Sequence, residues 1–149
     1  MKNTIILLTM LLFSGIGFAQ ESNNGKQLWA KSFLNEKAPE LTVETWISKK
    51  PDTEGKFVII DFWATWCGPC RKAIPELNEI AKEFSKDVVV IGISDEPVEK
   101  IKAMKEPVIE YYYGVDTKKT MDKILEIKGI PHVIIIDPKG IVRCSKIIN

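Results

Sequence analysis

Apolar and polar positions follow two periods along this chain, and the switches between them mark out its elements. Residues Phe57-Val58-Ile59-Ile60-Asp61-Phe62-Trp63 form a nearly continuous apolar run rich in β-branched and aromatic side chains. That is the pattern of a strand buried on both faces. From Pro69 onward the period changes: Ile74, Leu77, Ile80, Ala81 and Phe84 recur at helical spacing, with Arg71, Lys72, Glu76, Glu79, Lys82 and Glu83 on the other faces. Pro69 suits the first turn of that helix, whereas Pro75 falls inside the pattern and is expected to kink it. Val88 to Ile93 repeats the buried-strand pattern, Pro97 to Lys105 predicts a short helix, and Tyr111-Tyr112-Tyr113 an extended segment. Thr117 to Ile127 predicts a further helix through Met121, Ile124 and Leu125. Val133 to Ile136 and Ile141 to Cys144 are joined by Asp137-Pro138-Lys139-Gly140, whose turn chemistry makes them a hairpin.

The order strand-helix, strand-helix, short strand-helix, strand-strand describes an α/β fold: a mixed central sheet with helices on both faces. Upstream, Leu28, Trp29, Phe33 and Leu34 are spaced as one helical face and Val43 to Ile47 as a short strand, and Pro51-Asp52 with Gly55 marks a turn before the core strand. This stretch is read as an N-terminal extension packed on the domain, its aromatic residues serving as core.

The first residues stand apart. Lys2 precedes an apolar run from Ile5 to Phe13, followed by Gly15, Gly17 and Ala19 at the positions a signal peptidase reads. The run is short for a membrane span and no basic cluster follows it. The expected organisation is a signal peptide over residues 1–19, an extension over 20–36 and the α/β domain over 37–149. The mature chain would be exported without stable membrane insertion.

Composition adds mainly exclusions. The chain has 149 residues, with 21 Lys+Arg against 20 Asp+Glu; neither sign dominates, so no broad basic field exists to bind nucleic acid. Three cysteines are too few and too odd in number for a disulfide framework in an exported protein. Cys67 and Cys70 have C-x-x-C spacing, which suits a redox dithiol, half a zinc site or haem attachment. Arg71 stands where haem attachment needs His, and only Cys144 and the lone His132 are left for a zinc pair. The redox dithiol survives, with no metal and no cofactor expected.

Trp63-Ala64-Thr65-Trp66-Cys67-Gly68-Pro69-Cys70-Arg71, with Pro75 in the helix and Gly129-Ile130-Pro131 before the hairpin, resembles the thioredoxin superfamily. The leader, Lys37-Ala38-Pro39-Glu40-Leu41, the Ala64-Thr65 pair and the Asp-Pro-Lys-Gly turn make it most similar to the extracytoplasmic TlpA/ResA-like thiol-disulfide oxidoreductases. The resemblance runs from about Lys37 to Arg143. It implies a thioredoxin-like three-layer α/β/α sandwich, but only five residues follow Cys144, too few for the helix that normally closes this fold. Either the extension covers that sheet face, or apolar surface is exposed there.

The chemistry then assigns roles. A helix N-terminus stabilises a thiolate, so Cys67, expected at the exposed edge of the helix, attacks the substrate disulfide. Cys70, one turn in and more enclosed, resolves the mixed disulfide. Gly68 and Pro69 hold the two sulfurs close. Asp61 occupies the position of thioredoxin's buried acid, where many TlpA-like sequences resemble Asn-Phe-Trp instead; it would move the proton of the resolving thiol, its pKa raised by desolvation. The resemblance implies a cis bond before Pro131 and substrate pairing with the Ile130 main chain. It also places Trp66 on the substrate surface and Trp63 in the core. His132 reads as the start of a strand pointing away from the site or, as the alternative, as a group that tunes the site's pH dependence, and Cys144 as a half-buried strand residue rather than a third redox thiol.

The expected activity is reduction, or alternatively oxidation, of protein disulfides outside the cytoplasm, with a membrane electron donor as partner. A peroxide-reducing enzyme would place Thr and Pro where Ala64 and Ile60 stand. A non-catalytic binding module on the same fold is the other alternative.

Overall fold

The computed structural model describes residues 30–147; the leader over residues 1–19, together with Leu28 and Trp29, lies outside them. Nine elements follow in order: β1 (Thr45–Trp46), β2 (Phe57–Phe62), α1 (Gly68–Glu83), β3 (Val88–Ser94), α2 (Val98–Ala103), β4 (Tyr112–Val115), α3 (Thr120–Leu125), β5 (His132–Ile136) and β6 (Val142–Ile147). The six strands make one sheet in the order β1-β4-β3-β2-β5-β6. β2, β3 and β4 run parallel; β1, β5 and β6 are antiparallel to their neighbours. This is the mixed, thioredoxin-like sheet expected from the sequence.

Strand geometry sends alternate β2 side chains to opposite faces. Val58, Ile60 and Phe62 pack with Ile91, Ile134, Met121 and Leu125 on the α3 face. Ile59, Trp63, Val90 and Ile74 pack on the face covered by α1 and α2. Each fully buried aliphatic side chain there contributes about 1.5–3 kcal/mol. Phe33, Ala38, Leu41, Val43 and Trp46 are also packed against the α3-face core, so the segment before β2 covers much of that side.

The predicted helical face through Phe33 and Leu34 is not formed. The described part of that stretch, residues 30–36, is irregular because its backbone bonds other elements: Lys31 N–H donates to the Leu125 carbonyl at 2.7 Å and Asn35 N–H to the Val142 carbonyl at 2.8 Å. α3 is shorter than the predicted Thr117 to Ile127, since Lys119 (φ 56°) and Glu126 (φ 50°) are left-handed at its two ends. The hairpin turn forms as its chemistry predicts: Asp137 Oδ1 accepts from the Lys139 and Ile141 N–H groups, and Gly140 takes φ 78°. β1 seats so closely on β4 that a Cβ on Gly114 would lie 2.6 Å from Val43 Cγ1 and 2.7 Å from the Thr45 carbonyl.

Candidate active site

β2 delivers the chain to α1 through a short loop, and the two cysteines occupy the junction. Cys67 is the N-cap of α1, with extended backbone (φ −81°, ψ 102°), and its Sγ accepts from the Cys70 N–H at 3.2 Å. Pro69 fits the first turn because its missing N–H is one the helix cannot satisfy. No acid lies in that turn, so nothing opposes the positive end of the helix dipole at the sulfur. Cys67 and Cys70 are joined as a disulfide, S–S 2.00 Å, with their Cα atoms 5.3 Å apart.

One expectation is corrected. Cys67 is 4% exposed and Cys70 fully buried, so the first sulfur does not stand at an open edge. It lies under the exposed Gly68 and Pro69 and beside Trp66, which is 68% exposed. Trp66 also lines a cleft on its other side. That cleft, of about 360 Å³, is lined by Trp66, Phe62 and Ile130 with Asp95, Asp116 and Lys119 on its polar side. Thus Trp66, the chain neighbour of Cys67, and Ile130 share one surface. The Ile130–Pro131 peptide is cis, and Pro131 is buried.

Asp61 is placed on the α1 face of β2, in register with Gly92 on β3 and Val133 on β5. It is fully buried, and neither carboxylate oxygen has a hydrogen-bond partner among the described residues. Burial alone pushes its pKa from the ordinary 3.8 up to about 7. His132 begins β5 and is buried beside Phe62 with its Nε2 3.0 Å from Ser145 Oγ; burial lowers its pKa. It packs with the α3-face side chains and away from Asp61. Cys144 is a half-buried free thiol on β6.

The sequence reading missed Glu96. Just past the carboxyl end of β3, this buried residue accepts from both the Thr65 N–H and the Thr65 hydroxyl, and it pairs with Lys100. Burial pushes its carboxyl up, but the bonds from Lys100 and Thr65 outweigh that and hold it below the usual range. Glu96 therefore ties down the loop that carries Trp66 and Cys67. The available signal was an acid at the carboxyl end of a central parallel strand, the edge where α/β sheets build their sites. Tyr111 and the Trp63 indole, both buried above Gly92, also escaped a chemical reading.

Comparison with known proteins agrees with this arrangement. Residues 34–145 match the AhpC/TSA family. The chain is 26% identical over 109 residues to the thiol-disulfide oxidoreductase ResA of Bacillus subtilis, covering 69% of this chain and 61% of that protein. It is 29% identical over 154 residues to the thiol:disulfide interchange protein DsbE of Pseudomonas aeruginosa, covering 96% and 83% respectively. Among solved structures, the thioredoxin domain of a thiol-disulfide oxidoreductase from Bacteroides vulgatus superposes with a TM-score of 0.65 at 27% identity, covering 78% of this chain and 89% of that one.

Proposed function

The chain belongs to the AhpC/TSA family, and from that membership and the dithiol we propose that it is a thioredoxin-like thiol-disulfide oxidoreductase that reduces protein disulfides outside the cytoplasm. The observation that carries this reading is the Cys67–Cys70 pair bonded across the first turn of α1, with the Cys67 sulfur accepting a helix N–H. In the reduced protein that N–H and the helix dipole favour a thiolate on Cys67. The thiolate attacks one sulfur of the substrate disulfide; the substrate S–S bond breaks, one substrate sulfur leaves as a thiolate and the other is held on Cys67. Cys70 gives its proton to Asp61, and its thiolate attacks the Cys67 sulfur. That closes the Cys67–Cys70 disulfide and releases the second substrate thiol, so two electrons pass from protein to substrate.

Trp66, Gly68, Pro69 and the main chain at Ile130 and Pro131 present the substrate in this scheme, an extended segment lying along the cleft beside the dithiol. An external dithiol donor at the membrane returns the two electrons. Export is supported by Lys2 and the apolar run before Ala19; among the described residues no helix is long and apolar enough to cross a membrane. Insulin reduction by the protein in the presence of dithiothreitol tests the activity. Turnover that disappears in Cys67→Ser supports it. No thiol-dependent turnover by the folded protein would favour a binding module, and consumption of hydrogen peroxide in place of insulin reduction would favour a peroxidase. A mature N-terminus at Gln20, read by mass spectrometry of the secreted or periplasmic fraction, tests export.

A further inference from the structure

We infer that Tyr111 is a positioning residue for Asp61: its phenol, together with the Trp63 indole N–H, solvates the buried carboxylate through a shared water while Cys70 hands over its proton. The inference rests on the reading of Asp61 as the proton acceptor of Cys70, and it assigns a role to two side chains which that reading does not use.

Three polar groups converge on one place. Asp61 pairs in register with Gly92 on the parallel strand β3, so its side chain stands beside that glycine on the α1 face. Trp63, two residues further along the chain, emerges on the same face. The position a Cβ on Gly92 would take lies 3.1 Å from Trp63 Nε1 and 3.0 Å from Tyr111 Cε2. A Cβ there would crowd both rings, so the glycine lets them pack close to the strand beside the acid. Asp61, Trp63 and Tyr111 are 0%, 2% and 4% exposed. Both Asp61 oxygens, Trp63 Nε1 and the Tyr111 hydroxyl lack a hydrogen-bond partner among the described residues.

Two donors and one acceptor pair, all buried and adjacent, complement one another chemically. Left apart, each carries a desolvation penalty; a water with two to four polar partners is the usual way such groups are joined. The electrostatics match this pairing. Burial first, and the charge of Asp61 second, push the Tyr111 phenol above its ordinary range, so it stays protonated and serves as a donor. The other groups facing Asp61 supply no competing charge. α1 brings Cys70, Ile74 and Leu77 to this face, β3 brings Val90 and Gly92, and β5 brings Val133. Tyr113 is partly buried on the same side. Arg71, Lys72 and Glu76 on α1 are exposed.

Tyr111→Phe removes only the hydroxyl. The readout is the second thiolate release when the reduced protein meets dithiobis-nitrobenzoate, which reports Cys70 attacking the Cys67 adduct, followed by stopped flow as a function of pH. Losing one hydrogen bond to a carboxylate moves its titration alkaline by about one pH unit. The variant is therefore expected to resolve the adduct about fivefold more slowly at pH 7 and at an unchanged rate at pH 9, and Asp61→Asn should abolish the difference between Tyr and Phe at position 111. A Phe variant with an unmoved pH midpoint, in a protein whose midpoint Asp61→Asn does remove, would overturn this inference and leave the role of Asp61 standing. If Asp61→Asn itself leaves the profile unchanged, the proton-acceptor reading fails and takes the inference with it.

Discussion

Replacing Asp61 by Asn leaves side-chain shape nearly unchanged and removes a charge from a site that is fully buried and offers it no partner. Burial moves the carboxyl from its ordinary 3.8 to about 7 in the folded protein. Because the folded-state value is raised, the native state binds the proton more tightly than the unfolded chain between those two values. Stability from this group is therefore fullest below about pH 4, falls as pH rises, and levels off above about pH 7. Moving the titration over that span amounts to about 4 kcal/mol. The assay is urea unfolding of the oxidised protein at pH 4 and pH 8, wild type against Asp61→Asn, so that all other titrating groups cancel in the comparison. The Asn variant gains about 4 kcal/mol relative to wild type between the two pH values, or about 2 M in urea midpoint for a slope of about 2 kcal/mol per molar. Any constant penalty for burying the amide is the same at both. A relative gain below about 1 kcal/mol would mean that the Asp61 carboxyl keeps its ordinary titration in the folded protein, and the proton-acceptor argument would lose its physical basis.

Glu96→Gln weakens the bonds that anchor Thr65 and leaves Lys100 without its carboxylate, for a loss of about 1–3 kcal/mol at neutral pH. The wild-type carboxyl is held below its usual range, so this difference shrinks as pH falls through the carboxylate range, which unfolding at pH 3 and pH 7 checks. Trp66→Ala removes the most exposed aromatic beside the dithiol. We expect kcat/KM for insulin to fall about tenfold through KM, with the reaction toward a small aromatic disulfide unchanged. Gly114→Ala forces a methyl to 2.6 Å from Val43 Cγ1, separating β1 from β4 and lowering stability by about 1–3 kcal/mol in urea unfolding.

The central elements were legible because they rest on local, periodic signals. Val58 to Phe62 and Val89 to Ile93 are apolar on both faces, and such a strand has one place to go, the middle of a covered sheet. The helix after Cys70 carried its own stripe, and Cys67 with Pro69 is helix-start chemistry. The failures lie where tertiary contacts decide. Phe33 and Leu34 are spaced for a helix, yet nearby Lys31 and Asn35 donate to Leu125 and Val142, carbonyls about a hundred residues away in the chain, and those bonds hold the backbone out of a helix. α3 is trimmed by two left-handed residues, Lys119 and Glu126, whose types give no warning. At the site, Asp61 stood out as a charge in an apolar run. Glu96 follows the carboxyl end of β3, a place to look for a site, but nothing in Ser94-Asp95-Glu96-Pro97 marks which acid turns inward. The burial of Cys67 likewise depends on how the Trp66 loop folds over the helix start.

The claim on which the account turns is that Cys67 carries the substrate and Cys70 releases it. Cys70→Ser, reduced and then mixed with insulin, tests it by intact-mass and peptide mass spectrometry. The prediction is a stable covalent adduct through Cys67, removed by dithiothreitol and absent when Cys67 is also Ser. A folded Cys70→Ser protein that forms no adduct, or forms one only through Cys144, would contradict it.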